Sequence, residues 1–185
     1  MRSIGAALLI VALAGIAAGA TVVLPADLGM LAREARSIPR GRIVAVESRW
    51  TENRRGIETL VTMEVETYLK GQLGTTVQFR VPGGQLGRFR SITVGAPQFV
   101  AGQRVIVFLG TRGPSVPYVL GLGQGVFRLS AATAGWTVNP PPMLPTTSAL
   151  ARRQTTKIVR GDPGRAPMAL ADFERLVRTL AGASR

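Results

Sequence analysis

The chain has 185 residues, a length that suits one domain with extensions, and it carries 23 Lys and Arg against 10 Asp and Glu. The formal charge of +13 favours anionic partners such as phosphates, lipid headgroups or acidic polymers. The sequence contains neither His nor Cys, which excludes histidine-based triads, the usual zinc and haem ligands, thiol nucleophiles, iron–sulfur clusters and any disulfide-linked partner. We therefore expect a protein that is not an enzyme and that holds no metal and no cofactor.

The first 20 residues have the layout of a signal peptide. Arg2 supplies the positive start, residues 4–18 are uncharged and mostly apolar, and Ala18-Gly19-Ala20 forms an A-x-A site. This predicts cleavage after Ala20 and a mature chain that is periplasmic or secreted. The uncharged run continues to Leu24, so a retained N-terminal membrane anchor is the alternative interpretation.

Residues 21–40 are predicted to be a helical lead-in, because Leu28, Leu31 and Ala35 lie near helical spacing before Pro39. The short helix in this segment is expected to pack on the body of the protein.

Three strands are predicted next. Residues 42–50 are rich in β-forming side chains, and residues 57–69 alternate with period two over their whole length. A turn at 70–74 leads into a third alternating strand at 75–81. Two hairpins in sequence predict an antiparallel meander.

Shorter strands are predicted further along the chain, separated by glycine-rich turns. They lie at 90–94, 104–109, 118–122, 125–129 and 136–138. About seven strands at such spacing are typical of a small barrel or sandwich. We assign 41–138 to a small antiparallel β-barrel, and the fold class to mainly β.

The C-terminal part is predicted to be a linker followed by a helix. Residues 139–165 are Pro-rich and then basic, which is typical of a flexible linker. Residues 166–185 are predicted to be an amphipathic helix whose apolar stripe consists of Leu170, Phe173, Leu176, Val177 and Leu180. Its polar face is not strongly basic, so we expect it to dock on the barrel rather than lie in a membrane interface.

Five segments, covering roughly half the chain, resemble a group of uncharacterised exported bacterial proteins. They are GRIVAVESRW (41–50), LKG (69–71), VQFRVPGGQLG (77–87), GAPQFVAGQRVIVFL (95–109) and GLGQGVFRL (121–129). The strand order also resembles the oligonucleotide/oligosaccharide-binding (OB) barrel of netrin-like modules and tissue inhibitors of metalloproteinases. The resemblance implies a barrel fold and export, and it indicates no ligand. Those inhibitors depend on an N-terminal Cys and on disulfides, so their mechanism is not implied for a chain without Cys.

Glu64 and Glu66 are the candidate catalytic pair. They share one strand face about 7 Å apart, within the range of glycosidase carboxylates. We prefer a salt-bridged solvent face, because neighbouring strands offer Arg42, Arg49 and Arg80 as ordinary cross-strand partners.

The other candidate motifs also favour structural interpretations. The glycines at 83–87 and 121–125 indicate bulges or barrel corners, since neither group precedes a Lys-Ser/Thr pair or a helix start. Lys70 lies in a predicted exposed turn and Lys157 in a basic loop, where neither would be desolvated enough to act as a base. The scattered acidic residues form no calcium loop.

The most concentrated charge lies in the predicted linker and is a candidate anion contact. It consists of Arg152, Arg153, Lys157, Arg160 and Arg165, opposed only by Asp162. This segment is either a solvated tail or a contact for anionic lipid headgroups or polyanions. Nucleic acid is not an expected partner, because core packing explains most of the aromatic side chains, which include Trp50, Phe79, Phe89, Phe108, Phe127 and Trp136.

The leading hypothesis is an exported, non-enzymatic binding module that contacts an envelope or secreted protein through barrel-end loops such as 81–90 and 111–117. The alternative is a polyanion or membrane-surface binder that acts through the Arg-rich segment 152–165. Salt separates the two, because phosphate-type contacts weaken steeply as salt rises and a largely apolar interface does not.

Overall fold

The computed structural model describes residues 26–113, 115–133, 135–142 and 163–182. The predicted signal peptide and most of the predicted linker, including Arg152, Arg153, Lys157 and Arg160, lie outside the described residues. The described part of the chain is mainly β, with two α-helices.

Three long strands carry the sheet and are followed by shorter ones. The long strands are β1 (Ile38–Trp50), β2 (Ile57–Lys70) and β3 (Thr76–Pro82). The shorter strands are β4 (Gly84–Leu86), β5 (Phe89–Ser91), β6 (Arg104–Val107), β7 (Leu109–Gly110), β8 (Tyr118–Val119), β9 (Val126–Ala132), β10 (Gly135–Asn139) and β11 (Met168–Ala169). Helix α1 is Leu28–Glu34 and helix α2 is Leu170–Gly182.

Nine strands form one sheet that curls into a half-barrel, in the order β11-β10-β9-β6-β1-β2-β3-β8-β7. The pair β4 and β5 forms a separate hairpin. An isolated bridge between Ser37 and Leu109 connects β7, at one edge, to the residue just before β1.

The predicted antiparallel arrangement is wrong at one pairing. Strand β8 runs parallel to β3, with Arg80 opposite Tyr118, whereas the other pairings among the described strands are antiparallel. The path from β1 through β2, β3, β8 and β7 returns to Ser37. Five strands joined in this way cannot all alternate in direction, so one neighbouring pair must be parallel.

Some predicted elements differ from the structure at their ends. The strand predicted at 104–109 is interrupted at Phe108, whose N–H donates to Gly125 O and whose carbonyl accepts from Leu120 N. The strand predicted at 118–122 ends at Val119 and gives way to a 3-10 turn, Leu122–Gly125. The strand predicted at 90–94 is shorter and begins one residue earlier, because β5 is Phe89–Ser91 and the chain beyond it leaves the hairpin.

Two clusters of buried apolar side chains lie on opposite faces of the sheet. Ile106 belongs to one cluster, while its neighbours Val105 and Val107 belong to the other, as strand alternation requires. The first cluster includes the buried sides of α1 and α2, with the ring of Phe173 at 4.8 Å from that of Phe127. Helix α2 therefore docks on the sheet, as its apolar stripe predicts, although it begins at Leu170 because Met168 and Ala169 pair with β10.

Candidate interaction surfaces

Glu64 and Glu66 are held in cross-strand ion pairs. Glu64 Oε2 accepts from Arg42 Nη2 at 2.9 Å, and Glu66 Oε1 accepts from Arg104 Nε at 2.9 Å. Glu66 also forms a second ion pair, in which its Oε2 lies 3.4 Å from Arg40 Nε. The β1–β2 register shifts next to this arginine, between Arg40 and Gly41. The arrangement is the salt-bridged sheet face, in which both carboxylates bind arginines.

The ion pairs continue from the sheet to helix α2. Arg40 Nη1 donates to Glu174 Oε1, and Arg178 Nη2 donates to the other oxygen of Glu174 at 3.3 Å. Of the other predicted partners, Arg49 pairs with Glu58 rather than with the candidate pair. The ion pairs that join Arg40, Glu174 and Arg178 stabilise the docking of α2 on the sheet, which is a structural role.

Lys70 is not in an exposed turn, and that prediction is wrong. It is the last residue of β2, and its ammonium donates to the carbonyls of Ala32 and Arg33, each at 2.8 Å. These carbonyls belong to the last turn of α1, where the helix leaves acceptors unpaired, so Lys70 satisfies them. Desolvation by burial lowers the pKa of Lys70 below its ordinary value of 10.5.

Arg165 is the member of the predicted anion contact that the structure describes. It is half-buried and lies in a 3-10 turn, Pro163–Arg165, just before β11. The other four residues of that contact lie outside the described residues, so the contact remains a prediction.

Exposed aromatic side chains lie at the free end of the β1–β2 hairpin. The rings of Trp50 and Phe89 meet edge to face at 5.4 Å, and the Arg88 guanidinium lies 5.1 Å from the Phe89 centroid. Trp50 and Phe89 are 39% and 47% exposed, so they are not among the aromatic residues that core packing explains. We call the surface formed by Trp50, Arg88 and Phe89 the tip surface.

The tip surface is held in place by hydrogen bonds between the β4–β5 hairpin and the β1–β2 hairpin. Thr59 Oγ1 donates to Gly83 O at 2.8 Å, and Gln85 N–H donates to Ser48 Oγ at 3.3 Å. A Cβ on Gly84 would lie 2.6 Å from both hydroxyl oxygens, so the close approach requires glycine there. Phe89 is thereby held against Trp50.

The segment after β5 also carries exposed apolar side chains. Ile92, Val94 and Val100 are 61–73% exposed, whereas Phe99 packs inward with its ring 5.4 Å from that of Phe79. Besides the Phe99 ring, hydrogen bonds from Gly123 N–H to Gly95 O and from Gly102 N–H to Ile43 O hold this segment, and its aliphatic side chains stay in solvent.

One sequence signal could have identified the charge of this region. Residues 67–161 contain no Asp or Glu and eleven Lys and Arg. The β4–β5 hairpin lies inside this acid-free run, so the tip surface combines apolar side chains with positive charge. The nearest turn, at 51–56, adds Arg54 and Arg55 against Glu52.

A second surface, the basic groove, lies at the other end of β2. The groove has a volume of about 480 Å³ and is lined in part by Arg33, Glu34, Arg36, Lys70, Thr111 and Tyr118. Thr111 lines this groove, while at the other end of the loop 111–117 the Pro117 carbonyl accepts from Arg80 N–H at 2.8 Å. The loops named from the sequence, 81–90 and 111–117, therefore lie next to each other where β3 pairs with β8.

Neither a membrane-spanning helix nor an acidic metal cluster is found in the part of the chain that the structure describes. No helix in this part of the chain is both long and apolar enough to cross a bilayer. Residues 26–113, 115–133, 135–142 and 163–182 contain no cluster of three or more acidic side chains placed to hold a metal ion.

Comparisons of the chain with models of protein families, with curated proteins and with solved structures give no match.

Proposed function

We propose that this chain is an exported, non-enzymatic interaction module that contacts an envelope or secreted protein through its tip surface. The observation that carries the proposal is the exposed Trp50–Phe89 pair with Arg88 placed over the Phe89 ring. Trp and Arg are enriched among the residues that supply most of the binding energy at protein interfaces. Aromatic side chains contribute a large contact area there.

The charge around the tip surface narrows the kind of partner. Arg88 and Arg90 lie within the acid-free run, and Arg54 and Arg55 occupy the adjoining turn. A partner whose apolar patch is rimmed by Asp and Glu would match this surface, because complementary charge steers association and disfavours like-charged competitors.

We also propose that the curled sheet is an OB-type barrel, as in the netrin-like modules that the sequence resembles. Support comes from the strand order β1-β2-β3-β8-β7 and from the Ser37–Leu109 bridge, which leads back to the start of β1. The apolar cluster that includes Met63, Phe79 and Val107 would then fill the barrel interior.

Export is proposed from the N-terminal sequence. The charged start, the apolar run and the Ala18-Gly19-Ala20 site support secretion to the periplasm or the medium, with a retained anchor as the alternative. Mass determination of the chain recovered from an expressing bacterium tests this directly, since cleavage after Ala20 leaves a chain that begins at Thr21.

The test of the tip surface is a capture experiment with paired variants. The mature chain, residues 21–185, is used as bait in an envelope extract at low and at high salt. A Trp50→Ala/Phe89→Ala bait is compared with a Trp136→Ala bait, because Trp136 is 37% exposed, much like Trp50 at 39%, and lies on β10. We expect a protein that survives high salt and whose capture falls about tenfold or more with the tip variant.

Equal capture by both variant baits would contradict the proposal. Recovery only of lipids or polyanions that are lost at high salt would instead favour the alternative, binding through the Arg-rich segment 152–165.

A further inference from the structure

The basic groove brings cationic side chains from two elements to one place. Arg33 lies in the last turn of α1, Arg36 follows that helix, and Lys70 ends β2. Their main chains are fixed by hydrogen bonds: the Arg36 N–H donates to Leu109 O at 2.8 Å, and the Arg33 carbonyl accepts from Lys70 Nζ. The positive charges are therefore presented from a rigid framework.

Two glycines allow these elements to approach so closely. A Cβ on Gly71, which has φ +62°, would lie 2.5 Å from Arg36 O. A Cβ on Gly110 would lie 2.9 Å from Tyr118 Cζ, so the tyrosine ring lies directly against the β7 backbone in the wall of the groove. The end of α1, the end of β2 and the β7–β8 pair therefore lie close together here.

The groove has donors that the described part of the chain does not use. Within residues 26–113, 115–133, 135–142 and 163–182, the guanidiniums of Arg33 and Arg36 form neither an ion pair nor a hydrogen bond. Lys70 donates two of its three N–H groups to helix carbonyls, so its positive charge offsets the negative end of α1. One N–H donor of Lys70 remains for a ligand. Arg112, 5.5 Å from the Tyr118 centroid, adds positive charge at the rim.

Acidic groups near the groove are fewer than the basic ones. Glu34 lines the groove. Asp27 and Arg33 flank Gly29, and the Asp27 carboxylate accepts from Met30 N–H at 2.6 Å. The lining charges of Arg33, Arg36 and Lys70 against Glu34 leave a net charge of +2.

We infer that the basic groove binds a phosphate group, with Arg33 and Arg36 as the principal donors and Lys70 as a third. Guanidinium groups match phosphate oxygens in bidentate geometry, and the net charge of the lining matches a phosphate dianion. Glu34 opposes the bound anion and limits its affinity. The site is separate from the tip surface, so this inference does not rest on the proposed function.

The experiment is a calorimetric titration of the mature chain with inorganic phosphate, in which chloride keeps the ionic strength constant. The groove variant is Arg33→Gln/Arg36→Gln, and the matched control is Arg54→Gln/Arg55→Gln, which removes the same charge at the opposite end of β2. All four side chains are exposed, so both variants should fold, and thermal unfolding checks this. A third variant, Glu34→Gln, removes the opposing charge.

We expect the mature chain to bind phosphate with a Kd of about 1 mM or lower. The groove variant should bind at least about tenfold more weakly, the control should stay within about twofold, and Glu34→Gln should bind more tightly. Equal weakening in the groove and control variants would show a general charge effect and overturn the inference, as would an unmodified chain that does not bind phosphate.

Vesicles distinguish the possible sources of the phosphate group. Binding to phosphatidylglycerol vesicles that requires Arg33 and Arg36, with no binding to phosphatidylcholine alone, would identify a lipid headgroup as the source. Phosphate binding without vesicle binding would identify a soluble phosphate compound. The variant Trp50→Ala/Phe89→Ala should bind phosphate normally, so failure of the proposed function and failure of this inference can be told apart.

Discussion

The two ends of the β1–β2 hairpin differ in what covers their apolar side chains. At one end, Ile38 and Leu69 are buried in the cluster that includes α1 and α2. At the other end, Trp50 remains 39% exposed, with its ring against Phe89 of the small β4–β5 hairpin. Both ends belong to the same pair of strands, so strand pairing does not decide burial. Elements that arrive from distant parts of the sequence decide it, and the uncovered end is the one available to a partner.

The sharpest test of this difference compares two phenylalanines. Phe79 is fully buried in the second apolar cluster, whereas Phe89 lies on the tip surface. We expect Phe79→Ala to lower the free energy of unfolding by about 3–5 kcal/mol, because it leaves a cavity in the core. Phe89→Ala should lower it by less than about 1 kcal/mol. Urea unfolding of both variants measures this, and similar losses would show that the tip is part of the core.

The covered end depends on Lys70, and a substitution there should have an intermediate effect. Lys70→Met removes two charge-assisted hydrogen bonds to the carbonyls of α1, and we expect a loss of about 1–3 kcal/mol in the free energy of unfolding. Arg55→Met, at the uncovered end, is the control and should change it by less than about 0.5 kcal/mol. If Lys70→Met is as stable as Arg55→Met, Lys70 does not stabilise the covered end.

The pH dependence of stability gives a second measurement on Lys70. Burial lowers its pKa in the folded protein, so the unfolded chain binds more protons between that lowered pKa and 10.5. In this window the Lys70 contribution to the free energy of unfolding should rise with pH, and it should be constant below the folded pKa and above 10.5. Urea unfolding of the mature chain and of Lys70→Met from about pH 8 to about pH 11 tests the sign.

The sequence predicted the elements whose signals are local. Strands β1, β2 and β3 lie within one to four residues of their predicted bounds, because alternation over many residues has no competing interpretation. The parallel pairing of β8 was missed, since it depends on a bridge between Ser37 and Leu109 that no local pattern encodes.

The candidate surfaces could be predicted only in part. The loop 81–90 was named from the sequence, and it carries Phe89 and Arg88 of the tip surface. The exposure of Trp50 was not foreseen, because the burial of a strand end depends on elements distant in the sequence, here the β4–β5 hairpin. The groove was missed because Arg33, Arg36 and Lys70 are brought together by the packing of α1 on the end of β2.

The smallest expected effect concerns Glu64, on the sheet face between the two ends. Its ion pair with Arg42 is more than half exposed on both sides, so solvent screens it and the pair contributes little. Glu64→Gln should therefore change the free energy of unfolding by less than about 0.5 kcal/mol. A double-mutant cycle with Arg42→Gln measures the coupling. A large coupling energy would show that the middle of the sheet is a third stabilising region. Hydrolysis of a glycan by the unmodified chain that Glu64→Gln abolishes would restore the catalytic interpretation of Glu64 and Glu66.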